Sequence, residues 1–178
     1  MRKPTTRHLT LSALCLALGL VLPLFFGQNR QLGNMFAPMH LPALLTGFIV
    51  PWPYALATGF IMPLTRTLFF GMPPLVPTAI AMAFELGAYA LVTALAYNHF
   101  PKRPPYLYLS LAIAMVIGRI AWALARYCLF LIIGGNPFTL AIFWTEGFAV
   151  ALPGICVQLL LIPFIVLSLK KAGFTKEV

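Results

Sequence analysis

Apolar residues run along this chain in long blocks, separated by short polar or proline-rich stretches. The blocks cover residues 6–26, 36–50, 54–70, 78–97, 106–133 and 148–169. An α-helix rises about 1.5 Å per residue, so about 20 apolar residues cross the hydrocarbon core of a bilayer. Each block is therefore predicted as a transmembrane helix. The whole chain, 1–178, reads as one all-α integral-membrane domain, a six-helix transmembrane bundle. The second and third blocks are short or broken by proline: Pro51, Trp52 and Pro53 end one, and Pro63 interrupts the other. They are read as two crossings, with a re-entrant pair as the alternative, since irregular backbone at membrane depth needs protein cover.

Composition strengthens this reading. The 178 residues are 61% hydrophobic and 8% charged, against about 25% charged in a soluble domain. The net charge of +9 would suit a nucleic-acid partner only if it formed a continuous basic face. Instead the basic residues flank the blocks. Arg2, Lys3 and Arg7 precede the first, Lys102 and Arg103 lie between the fourth and fifth, and Lys170, Lys171 and Lys176 follow the sixth. Lys and Arg concentrate on the cytoplasmic side of membrane proteins. Six crossings put all three groups on that side, with both termini cytoplasmic. The opposite loops carry only Arg30 and Glu146.

Other features add little chemistry. Cys15, Cys128 and Cys156 lie inside apolar blocks without CxxC spacing, which predicts neither metal nor disulfide. The basic start and first block resemble a secretory leader, but no A-x-A-like site follows, so the helix is expected to stay. A GxxxxGK[ST] fingerprint is absent, and no cofactor is expected.

The functional pattern lies in ionisable residues within the blocks. Arg66, Glu85, Arg119 and Arg126 fall at membrane depth, where each costs several kcal/mol unless paired or facing a polar cavity. Counting rise from the block ends puts Arg66, Glu85 and Arg126 in one outer layer, with Arg119 deeper. Arg119, Trp122 and Arg126 share one helical face, as do Glu85 and Tyr89. Two readings stay open. Glu85 neutralises Arg126 or Arg66 inside the bundle, or the surplus arginines receive an anionic ligand. An aromatic beside guanidinium groups also suits a flat ring.

Further candidates surround that layer. Gln28, Asn29, Arg30, Gln31 and Asn34 form the outer loop after the first block, and Trp144 and Glu146 the last outer loop. His40 opens the second block, and Gln158 sits midway along the sixth. Each has an ordinary packing or solvated-loop alternative. Catalysis within a membrane needs a nucleophile with its base, paired acids or a metal cluster. One in-span carboxylate, and histidines scattered at His8, His40 and His99, supply none of these. A solute-binding membrane subunit fits better than an enzyme. A gradient-driven small-solute carrier or an assembly protein is the alternative.

Three stretches carry a family likeness. They are Arg7 to Gly19 with Ala13-xxx-Ala17; Met39-His40-Leu41-Pro42-Ala43-Leu44-Leu45; and the run from Pro63-Leu64-Thr65-Arg66 through Gly71-Met72-Pro73-Pro74 to Ala81-Met82-Ala83-Phe84-Glu85-Leu86. In these the chain resembles the substrate-binding S components of energy-coupling factor (ECF) transporters, which take up vitamins in prokaryotes. The resemblance implies six helices in the plasma membrane and tight binding of one small molecule near the outer face. It also implies association with a transmembrane coupling protein and two cytoplasmic ATPases. Ala13 and Ala17 would match the family's AxxxA contact with the coupling protein. Glu85, Tyr89, Trp122, Arg126 and Trp144 would fall in its ligand region. The substrate expectation is a pantothenate-like anion first, then aromatic vitamins or nucleobase derivatives.

Overall fold

The computed structural model describes residues 6–26, 30–134 and 138–172. Arg2, Lys3, Gln28, Asn29 and Lys176 lie outside the described residues. Among those described, the chain is helical throughout, without strands. Helix α1 is Thr6–Val21, continued by a 3₁₀ turn at Leu22–Phe26. Then come α2 (Arg30–Phe36), α3 (His40–Ile49), α4 (Trp52–Phe70), a wide irregular turn at Leu75–Ala79, and α5 (Ile80–His99). Helix α6 is Pro104–Ile133, α7 is Leu140–Trp144, a second wide turn covers Thr145–Ala149, and α8 is Leu152–Lys171.

Helix α5 is the hub: it packs against α3, α4 and α6. Lipid supplies no hydrophobic drive between helices, so bundles hold together where small residues let backbones approach. Gly47 of α3 faces the Ala90 carbonyl and Gly59 of α4 faces the Leu86 carbonyl, so that a Cβ at either position would collide with α5 backbone. Helix α3 is the most enclosed element. Every one of its residues but Leu41 is buried, and Phe48 meets Tyr97 of α5 edge-on at 5.0 Å. The outer faces stay apolar. Leu124, Leu131 and Ile132 of α6 and Leu160 and Phe164 of α8 are exposed, which suits a lipid surroundings and not water.

Pairwise contacts fix helix directions. His8 lies against Tyr54 (ring centroids 5.7 Å apart), and Arg66 reaches the Leu20 carbonyl at 2.7 Å. The starts of α1 and α4 are therefore together, as are their later turns, and the two helices run parallel. Lys170 Nζ donates to the Lys102 carbonyl at 2.9 Å, which brings the end of α8 to the α5–α6 loop. Two of the basic clusters used to orient the chain thus share one end of the bundle.

The structure revises several expected boundaries. The stretch read as loop before residue 36 contains α2, and Ala37 at φ 45° separates it from α3. The second block accordingly shrinks to the ten residues of α3, about 15 Å of rise. The fourth block extends back to Leu75, the sixth runs Leu152–Lys171, and the last outer loop holds α7 and its following turn. Among the described residues, four segments are long and apolar enough to cross a membrane: Thr6–Phe25, Leu75–His99, Pro104–Ile133 and Leu152–Lys171. Helix α4 has 19 residues, but Pro63, Arg66 and its threonines lower its apolar character.

Candidate functional site

At the end of the bundle away from Lys102 and Lys170, five helices and three turns, the 3₁₀ turn contributing Pro23, line a cavity of about 390 Å³. It lies within the roughly 300–1,000 Å³ of small-molecule sites. Asn34 comes from α2, and Met39 and His40 from the α2–α3 corner. Arg66 comes from α4, Met82 and Glu85 from α5, and Trp122 and Arg126 from α6. The proline-rich turn adds Met72, Pro73, Pro74 and Thr78, and the turn after α7 adds Glu146 and Val150. Local chemistry sets these turns. Gly71 ends α4 at φ 68°, a left-handed conformation that glycine adopts without strain. Thr67 Oγ1 then donates to the Pro73 carbonyl at 2.8 Å, fastening the turn to α4.

Glu85 is the centre of the cavity floor. Its Oε1 receives Arg119 Nη1 at 2.7 Å, both side chains being buried, and the Tyr89 hydroxyl at 3.2 Å. His40 Nε2 also lies 3.2 Å from Oε1, whereas His40 Nδ1 has no hydrogen-bond partner. The His40 ring meets Tyr89 edge-on, with centroids 5.4 Å apart. Gly118 makes room for this packing, because a Cβ there would enter the Tyr89 ring. Glu85 and Tyr89 do share a face, as their spacing predicts. The carboxylate's arginine is Arg119, however, and not Arg66 or Arg126. Helix α6 has 30 residues, more than a crossing needs. Its outer end overshoots α5, so depth counted from that end set Arg119 too deep.

The other arginines stand around the wall. Arg66 is buried, donates to the Leu20 carbonyl at 2.7 Å and covers the Phe70 ring at 5.3 Å. Arg126 lies over the Trp122 ring at 5.7 Å, with Glu146 Oε2 at 3.9 Å from its Nη2. Phe138 meets the same Trp122 edge-on at 5.5 Å.

Of the residues singled out in the sequence, Asn34, His40, Arg66, Glu85, Trp122 and Arg126 line the cavity. Tyr89 and Arg119 back its floor through Glu85. Gln158 is buried on α8 but does not line the cavity. Trp144 is 58% exposed and packs on Phe143 and Phe148, outside it. Ala13 and Ala17 are exposed on α1 beside Leu14 and Leu18. Sequence reasoning passed over the methionines and prolines of the wall. The proline cluster at 73–77 carried the only hint of a built turn. Among the described residues, no cluster of His, Cys, Asp or Glu could hold a metal.

The model of the family described as ECF transporter, substrate-specific component, matches residues 7–169. The chain belongs to this family. It is a membrane-integral, substrate-binding subunit of ECF transporters, whose role in the complex is to bind a solute for transport and not to catalyse a reaction. No curated protein and no solved structure matches the chain.

Proposed function

We propose that this S component captures a vitamin or related micronutrient in the cavity over Glu85, with high affinity, for an ECF-type ABC importer in a prokaryotic plasma membrane. The observation that carries the reading is the buried floor. His40 lines the cavity, and its Nδ1 is buried with no hydrogen-bond partner. A buried polar group left unbonded is costly, and a ligand hydrogen bond offsets that cost. In this reading the chain crosses the membrane six times, by α1, α3, α4, α5, α6 and α8, with the cavity outside and both termini in the cytoplasm. The parallel α1 and α4, and the Lys170–Lys102 contact, support that topology. The exposed Ala13–Ala17 face of α1 docks on the transmembrane coupling protein, and two partner ATPases supply the energy.

The test is to purify the protein with any companions from cells grown in rich medium, denature it and weigh what is released. A stoichiometric small molecule, with an ATPase co-purifying from the native host, is expected. A protein that releases nothing, binds no vitamin and brings down no ATPase overturns the proposal.

A further inference from the structure

The lining of the cavity also discriminates between ligand classes. This argument rests on the reading of the cavity as the substrate site. Two aromatic rings, His40 and Trp122, are among the described residues lining it; His40 is 5% exposed and packs against Tyr89, and the Trp122 ring is not on offer either. Arg126 covers one face, Phe138 abuts its edge, and the residue is only 7% exposed. A flat ring stacking there would have to displace Arg126. The remaining wall is aliphatic and thioether surface, from Met39, Met72, Met82, Pro73, Pro74 and Val150.

Charge narrows the class further. Around the cavity, three arginines (Arg66, Arg119 and Arg126) meet two carboxylates, Glu85 and Glu146. That leaves one positive charge, which one carboxylate balances and a phosphate dianion exceeds. Glu85 is already engaged by Arg119 at 2.7 Å. Glu146 is different: its side chain is 53% exposed, and at 3.9 Å from Arg126 it is at the limit of an ion pair. Charge-assisted hydrogen bonds run about 2.7–2.9 Å, so a second carboxylate has room to bind Arg126 more closely. The lining also offers hydrogen-bonding groups on Asn34, Thr78 and His40.

We infer that the ligand is a small, non-aromatic monocarboxylic acid bearing hydroxyl or amide groups, and that its carboxylate takes the place of Glu146 on Arg126. Glu146 is then a stand-in for the ligand's carboxylate. Its removal strengthens binding, whereas a glutamate that grips a cationic ligand would weaken binding when removed.

Four probes separate the classes: pantothenate (aliphatic acid), nicotinate (aromatic acid), pyridoxine (neutral ring) and thiamine (cation). Each is titrated into detergent-purified protein stripped of bound small molecules, as wild type, Glu146→Gln and Arg126→Ala. Pantothenate is expected to bind tightest. Glu146→Gln is expected to tighten it by up to about fivefold, the range of a half-exposed ion pair, and Arg126→Ala to weaken it by about thirtyfold or more. Tighter binding of any other probe, or weaker binding in Glu146→Gln, overturns the inference and leaves the receptor reading intact. If none of the four binds, the molecule released from the unstripped protein decides. A non-aromatic acid upholds the class, and an aromatic or cationic compound overturns it. No released molecule at all overturns the receptor reading together with this inference.

Discussion

Arg119 Nη1 and Glu85 Oε1 form an ion pair of 2.7 Å between α6 and α5, with both side chains buried. The pair fixes the cavity floor, because Glu85 also receives Tyr89 and neighbours His40. Removing one member of a buried pair leaves an uncompensated charge, at a cost of about 3–5 kcal/mol. Glu85→Gln and Arg119→Gln are each expected to lower the thermal midpoint in detergent sharply. The double substitution should be less damaging than the sum of the two. A double-mutant cycle on melting curves measures this coupling, and strict additivity would mean that the pair does not hold the helices together.

Tyr89 packs where Gly118 has no side chain. Gly118→Val is expected to force the phenol off its site and break its 3.2 Å hydrogen bond to Glu85. Overpacking of a close-packed interior costs about 1–3 kcal/mol. Thermal unfolding should report that loss. Gly33→Ala is the control, since a Cβ there meets nothing within 4 Å and is expected to leave the midpoint unchanged.

The exposed face of α1 is separable from the cavity. Ala13→Trp and Ala17→Trp add bulk outside the bundle. Both are expected to prevent co-purification with the coupling protein while ligand binding stays at the wild-type level. Loss of both properties together would indicate misfolding, and normal co-purification would move the contact elsewhere.

How much of this was legible in the sequence depended on how local each feature is. The i, i+4 spacing of Glu85 and Tyr89 is a property of one helix, and it led straight to a real contact. The i, i+3, i+7 face of Arg119, Trp122 and Arg126 likewise survived. What failed needed the relative heights of two helices. Pairing Glu85 with Arg119 required knowing that α6 overshoots α5, and apolar length does not give this. Helix α2 was missed because Gly33 and Asn34 among polar neighbours read as loop. The ten residues from His40 onward, nine of them buried, look like a short span when apolarity is the only guide. Trp144 was expected at the outer mouth beside Glu146. In the folded chain it turns outward onto Phe148 while Glu146, two residues on, faces the cavity.

The central claim is that the ligand sits in the cavity over Glu85, held by Arg126. Arg126 is partly exposed, with its side chain 23% accessible, so its loss should leave the fold intact. The decisive measurement compares wild type and Arg126→Ala, purified identically, by mass spectrometry of the small molecule released on denaturation. One equivalent from the wild type and almost none from a variant with an unchanged melting profile is the predicted result. Equal amounts from both would place the ligand elsewhere and reduce Arg126 to a structural partner of Trp122 and Glu146.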